Sequence, residues 1–224
     1  VKLLALDTAA SRCSAALWLD GRLTERDAPA ERVQAESVLP MVEELLQDAG
    51  LKLTQLDALA FGRGPGAFTG LRVAAAVAQG LAYGAGLPVV PVSNLAALAH
   101  AAFRRHGAQK VLACLDARMH EVYWGAFTCR SGSVEPLSEE ALCPPGEIHP
   151  PPPHTWFGAG SGWGVHGNAL KPRVPTLEGT DASLMATAGD VVRLAEIAFK
   201  QGLSLPPEGA LPVYLRDKVA SPKL

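Results

Sequence analysis

The chain has 224 residues, enough for one large or two small domains and for an apolar core that needs no disulfide staples. A formal charge of −2 supplies no overall basic field to gather nucleic acid. The four cysteines (Cys13, Cys114, Cys129 and Cys143) include no Cys-x-x-Cys pair, which argues against a zinc knuckle or thioredoxin-type site and suits small apolar residues in a reducing cytosol.

In chain order, "KLLALD" at 2–7 reads as a buried strand and "CSAALWL" at 13–19 as a second. The hairpin signal Asp20–Gly21 leads into a more polar third strand. A helix follows, with Val38, Met41, Val42, Leu45 and Ala49 at the helical period and Gly50 as its stop. Pro40 either kinks that helix or lies in the first turn of one capped by Ser37. "LDALAFG" at 56–62 is a fourth strand, and a second helix covers 69–83. A strand at 87–92 precedes a helix capped by Ser93. This alternation predicts parallel strands covered by helices.

The second half opens with a strand at 110–117 and an antiparallel partner at 121–129, joined by "ARMH". "CPPGEIHPPPPH" reads as a stiff extended loop, and "TWFGAGSGWG" as a short strand entering a loop. The stretch 188–202 is an amphipathic helix, with Val191, Leu194, Ala195, Ile197 and Ala198 on its core side. Charge returns between Arg104 and Lys110, and the domain boundary is expected there. The expected division is an N-terminal lobe over 1–106, completed by the helix near 188–202, a C-terminal lobe over 107–187, and an extension over 203–224. Two features could mislead. The N-terminus has a short apolar run broken by Asp7 and does not read as a signal peptide. The uncharged stretch 73–103 is cut by Gly84, Gly86, Pro88 and Pro91 into pieces too short to span a bilayer.

The loop "FGRGPGAFTG" is the first candidate for chemistry. It lacks the lysine of a Walker loop, and three residues separate Gly66 from Gly70, so the dinucleotide fingerprint fails too. Gly62, Gly64 and Gly66 either present a helix N-terminus to an anion or make a tight strand-to-helix turn. Asp7, followed by Thr8, ends the first strand, and Asp116 ends a strand in the second half. Together they suit a phosphotransfer cleft between duplicated lobes, or each caps its own turn. No His pair at i, i+4 occurs, and Ser161 lacks the flanking glycines of a hydrolase elbow. No metal site and no cofactor are expected.

The helix after the glycine loop stands out. From 73 to 83 it carries no charge, and Gln79 is its only strongly polar residue, whereas a surface helix should have a charged face. Leaving about 300 Å² of such surface bare forgoes on the order of 7 kcal/mol. Either the second lobe folds over this helix or another polypeptide covers it.

The segments "LLALDTAASRCSAALWLDG", "VLPMVEELL", "FGRGPGAFTGLRVA", "LPVVPVSNLAALA", "VLACLDARMHEVYWGAF" and "PVYLRDKVA" together resemble the TsaB (YeaZ) family, in order and from end to end. The resemblance implies an α/β, actin/Hsp70-like (ASKHA) fold of two ribonuclease-H-like lobes with mixed sheets flanked by helices. It implies a cytoplasmic, non-catalytic role in making threonylcarbamoyladenosine in tRNA, beside a catalytic subunit, TsaD. It further implies a TsaE-type ATPase as third partner, tRNA reached through the complex, no membrane, and self-association when TsaD is absent. The metal-binding His-x-x-x-His of TsaD is missing here. Carried over by helical phase, the contact surface would be Val38, Met41, Val42 and Leu45 of the first helix with Leu71, Ala75, Ala78 and Ala82 of the second. A vestigial anion or nucleotide site would comprise Asp7, Thr8, Gly64, Gly66 and Asp116. Gln34 departs from the histidine that many relatives carry before the first helix. The alternatives are an actin-like ATPase or kinase using the aspartates and the glycine loop, and a glycoprotease-like peptidase.

Overall fold

A computed structural model of the protein describes residues 1–10, 12–29, 34–152 and 155–216. The chain begins with three antiparallel strands: β1 (Lys2–Asp7), β2 (Arg12–Leu19) and β3 (Arg22–Pro29). The β2–β3 turn uses positive φ at Asp20 (46°) and Gly21 (94°), as a tight hairpin of this hand requires. Helix α1 (Gln34–Asp48) leads to β4 (Ala58–Gly64), α2 (Phe68–Ala85) and β5 (Val89–Ser93). The order β3-β2-β1-β4-β5 results, with β4 and β5 parallel to β1.

After α3 (Asn94–His106) the same plan recurs. Strands β6 (Lys110–Asp116), β7 (Val122–Arg130) and β8 (Ser133–Pro136) form an antiparallel meander, and the short β9 (Ala141–Cys143) also pairs with β7. Strand β10 (Trp156–Ala159), helix α4 (Ser161–Leu170) and β11 (Leu177–Asp181) follow, and the last helix is α5 (Ala188–Lys200). The second sheet is ordered β11-β10-β6-β7-β8, with β10 and β11 parallel to β6. Two lobes of this ribonuclease-H-like form, one after the other, make an actin/Hsp70-like fold.

The period-2 alternation of the strands assigns each face its cover. Leu4, Leu6, Leu59 and Phe61 point toward α1 and α2, while Leu3, Ala5, Ala58 and Ala60 point toward α5. Both faces of β1 and β4 are therefore dry, which is why these strands read as continuous apolar runs. In the second sheet Val111, Ala113, Phe127 and Cys129 face α3, and Leu112, Cys114, Trp124 and Ala126 lie with Trp163 of α4. Helix α3 leaves the first sheet to pack on the second, and α5 leaves the second to pack on the first.

Where these two helices cross, Asp190 is fully buried at the first turn of α5. It lies 2.8 Å from His100 Nδ1, accepts from Arg104 Nε at 2.9 Å, and accepts from the backbone N–H of Thr187 at 3.2 Å. Burial opposes its ionisation, yet the hydrogen bonds from His100 and Arg104 hold its carboxyl below the usual carboxylate range.

The structure settles one alternative, corrects one expectation and adds three strands. Helix α1 begins at Gln34 and runs through Pro40, so Ser37 is not its cap; Pro40 is exposed, where water can satisfy a carbonyl that has lost its donor. The glycine-rich segment after β10 is helix α4 rather than a loop, with a non-helical residue at His166. Strands β8, β9 and β11, short and only partly apolar, carried too little periodicity to be read. Ser93 caps α3 as expected, accepting from the N–H groups of Leu95 and Ala96. The extension over 203–224 is described as far as Arg216, and the rest of it, like His154 of the proline-rich loop, lies outside the described residues.

Replacing Asp190 strands His100 in the interior without its acceptor and removes a helix cap. Asp190→Ala should lower the unfolding free energy by about 3 kcal/mol in urea titrations, and a loss below about 1 kcal/mol would contradict this role.

Candidate functional site: an interlobe cleft and an open helix face

A cleft of about 850 Å³ lies between the lobes. Asp7 enters it from the end of β1 and Asp116 from the matching end of β6, so the two strand-end aspartates do share one cavity. Gly66 also lines it, whereas Thr8 and Gly64 do not. The walls are largely apolar, with Leu71, Leu98, Leu115 and Tyr123 among them.

Asp7 is buried and accepts from the N–H of Ala9 at 2.9 Å and from Asn94 Nδ2 at 3.1 Å. Asn94 in turn accepts from the N–H of Gly64 at 2.7 Å, linking β1, the glycine loop and α3. Burial pushes the Asp7 carboxyl up to about 6, outweighing the hydrogen bonds that favour its charged form. Asp116 is held by His166 Nε2 at 3.1 Å and by the N–H of Arg118 at 3.1 Å. The sequence reading missed Asn94. Its signal was a lone amide directly after a helix-capping serine, inside an otherwise apolar run.

Each glycine of the loop answers to packing. A Cβ on Gly66 would lie 2.9 Å from the carbonyl oxygen of Ala9, and one on Gly70 would lie 1.9 Å from that of Thr8. Gly64 sits at φ 112°, and a Cβ there would lie 2.7 Å from the carbonyl oxygen of Val213. Thr8 is buried, and its Oγ1 donates to the Gly70 carbonyl at 2.6 Å. The N–H of Ala67, just before α2, donates to the Ala9 carbonyl. The Ala9 carbonyl therefore takes the N–H just before the helix, while Gly66, Ala67 and Phe68 still border the cleft.

The β6–β7 turn is the matching loop of the second lobe. Arg118, Met119 and His120 hold φ of 60°, 53° and 60° in succession, each at a cost of roughly 1 kcal/mol or more for a residue with a Cβ. Their side chains are exposed.

The helix faces revise the interface assignment. Val38, Met41, Val42 and Leu45 of α1 and Leu71, Ala75, Ala78 and Ala82 of α2 are all buried, in the core between these helices and the first sheet or beside it. In the lone chain they leave almost no surface open, although Leu71 borders the cleft. Apolar size on these helices points to the core, and the open side of α2 is marked by smallness instead. That side carries Thr69, Arg72, Ala76, Gly80, Tyr83 and Gly84, flanked by the half-buried Val73 and Val77. Nothing lies within 4 Å of where a Cβ on Gly80 or Gly84 would be, so the chain's own packing does not require either glycine. A helix interior that accepts glycine gives up about 1 kcal/mol per residue relative to alanine.

No helix among the described residues is long and apolar enough to cross a membrane. Among the described residues, no group of three or more His, Cys, Asp or Glu comes together to hold a metal. Burial pushes the thiols of Cys13 and Cys129 up to about 11 and about 12, which makes them poor nucleophiles.

Asp7 keeps its proton to about pH 6 in the folded chain but releases it near its ordinary value of 3.8 once unfolded. Between those values the folded state binds the extra proton, so raising the pH removes stability. Asp7→Asn cannot ionise. Its stability relative to the parent chain should rise by up to about 3 kcal/mol between pH 4 and pH 7.5, read from unfolding curves at each pH; a pH-independent difference would contradict the buried, proton-retaining state.

A family model described as "TsaD: tRNA N6-adenosine threonylcarbamoyltransferase" matches residues 28–220. The tRNA threonylcarbamoyladenosine biosynthesis protein TsaB of Haemophilus influenzae is 41% identical over 231 residues, covering 99% of this chain and 96% of that one. TsaB of Escherichia coli is 39% identical over 228 residues, with 100% and 98% covered. The solved structure of YeaZ from Pseudomonas aeruginosa superposes with a TM-score of 0.89 at 46% identity, covering 96% of this chain and 99% of that one. With its duplicated lobes, its two strand-end aspartates and end-to-end identity to these relatives, the chain belongs to the TsaB (YeaZ) family.

Proposed function

We propose that this chain is a non-catalytic subunit in the formation of threonylcarbamoyladenosine in tRNA, and that it supports a TsaD-like catalytic subunit by pairing with it through α2. The observation that carries this reading is the open side of α2, where Ala76, Gly80 and Gly84 lie exposed with no packing reason for two of them to be glycine. Small residues at this spacing let a second helix approach closely, and Val73 and Val77 at the margins supply apolar contact. Leu39, 45% exposed on α1, adds to the apolar surface of the adjoining helix. In the absence of the catalytic subunit, the same face serves for self-association. A TsaE-like ATPase and tRNA are reached through the assembled pair, in the cytoplasm.

The cleft supports this reading over a nucleotide-driven one. The Ala9 carbonyl already takes the Ala67 N–H just before α2, and the Asp7 carboxyl is engaged by the Ala9 N–H and by Asn94.

The test separates folding from pairing. Ala76→Arg, at an exposed position, should leave the unfolding midpoint of the lone chain within a few degrees of the parent and weaken association with the cognate TsaD at least about 100-fold. Gly80→Ala should stabilise the lone chain by up to about 1 kcal/mol while weakening the pair. Calorimetric titration with TsaD and thermal unfolding give the two readouts. Unimpaired pairing by Ala76→Arg would remove α2 from the interface. Substitutions at Ala78, which is fully buried, would unfold the chain and test nothing.

A further inference from the structure

The segment after α5 does not stay with one lobe. Leu205 pairs with Val89 at the edge of the first sheet, through two backbone hydrogen bonds of 2.8 Å. The carbonyl of Pro207 accepts from Gln79 of α2, and Ala210 is buried in the core beside that helix. The N–H of Val213 then donates to the Arg63 carbonyl at 2.7 Å, at the end of β4. Tyr214 lies against Phe68, with ring centroids 5.2 Å apart, and its hydroxyl accepts from Arg72 Nε at 3.1 Å. All of these partners belong to the first sheet or to α2.

Arg216, two residues further on, is seated on the second lobe. Its guanidinium meets Glu121 Oε2 at 2.7 Å, the Ala117 carbonyl at 2.9 Å and Met119 Sδ at 3.3 Å. Only 16% of its side chain is exposed, unlike the 88% of the neighbouring Arg118. All three contacts belong to the β6–β7 turn, where Arg118, Met119 and His120 are held in left-handed conformations. Strained backbone persists where its surroundings hold it, and here it turns a carbonyl, a sulfur and a carboxylate toward one guanidinium. Val213 to Arg216 also line the interlobe cleft.

We propose that residues 213–216 form a clasp that sets the opening of the interlobe cleft, with Arg216 as its latch on the strained β6–β7 turn. Latched, the segment ties the end of β4 and the first turn of α2 to the second lobe. Unlatched, the cleft opens and Tyr214 leaves Phe68 and Arg72, so the state of the cleft is communicated to the N-terminal end of α2. The inference concerns the lone chain and does not rest on pairing with any partner.

Hydrogen–deuterium exchange on the full chain tests it. Arg216→Ala and Glu121→Ala should each speed exchange at least 10-fold in the cleft-lining segments 66–72 and 182–186, leaving the central strands β1 and β6 as in the parent. The double variant should be no faster than either single one, because both remove the same contact. Arg216→Lys, which keeps a donor to Glu121 and Ala117, should restore most of the protection. Unchanged exchange in both segments, a rise spread equally over β1 and β6, or additive effects in the double variant would each overturn the clasp.

Discussion

At Gly70 the protein has no room for one more carbon: an added Cβ would lie 1.9 Å from the carbonyl oxygen of Thr8. That contact presses the first turn of α2 onto the end of β1 and settles several matters together. It leaves Thr8 to bond back to the Gly70 carbonyl and Ala9 to receive the N–H of Ala67. It brings the Ala9 carbonyl to the N–H just before the helix, where an anion would have to compete for it. It also fixes the rotation of α2, sending Leu71, Ala74, Ala75, Ala78 and Ala82 inward and Ala76 and Gly80 outward.

The inward side of α2 has its reward in the core, where Leu4, Leu6, Leu59 and Phe61 complete the contact. The outward side has none within the chain. Only Arg72 is charged there, and it lies over the Phe68 ring at 3.8 Å instead of forming an ion pair with an acid of the described residues. Helix propensity argues against exposed glycine at positions 80 and 84, and nothing in the chain's own packing calls for either. This tension, a helix perfected on one side and unfinished on the other, is the physical basis of the proposed scaffold role.

Much of this was legible in the residues. Strands β1, β2, β6 and β7 announce themselves through apolar runs that two dry faces demand, and Ser93 and Asp20–Gly21 mark their cap and turn by side-chain chemistry alone. The duplicated position of Asp7 and Asp116 followed from their places at strand ends. Which side of α2 is buried did not follow. Leu71 and Ala78 share the apolar character of the open side, and only the tertiary neighbours separate a core alanine from a surface one. The C-terminal contacts were hidden for a related reason: Tyr214 and Arg216 are ordinary residues until the fold brings Phe68 and Glu121 to them across the chain. Helix α4 was missed because its glycines Gly162, Gly164 and Gly167 mimic a loop, while its buried anchors Trp163 and Leu170 are too few to show a helical period.

Sedimentation equilibrium of the unmodified chain, alone and with an equimolar catalytic subunit, tests the central claim most directly. The account predicts that the lone chain gains mass with concentration and that the partner displaces this self-association into a one-to-one pair. A chain that stays strictly monomeric at 100-micromolar order in both settings would show that the bare side of α2 is stable against water alone, contradicting the account.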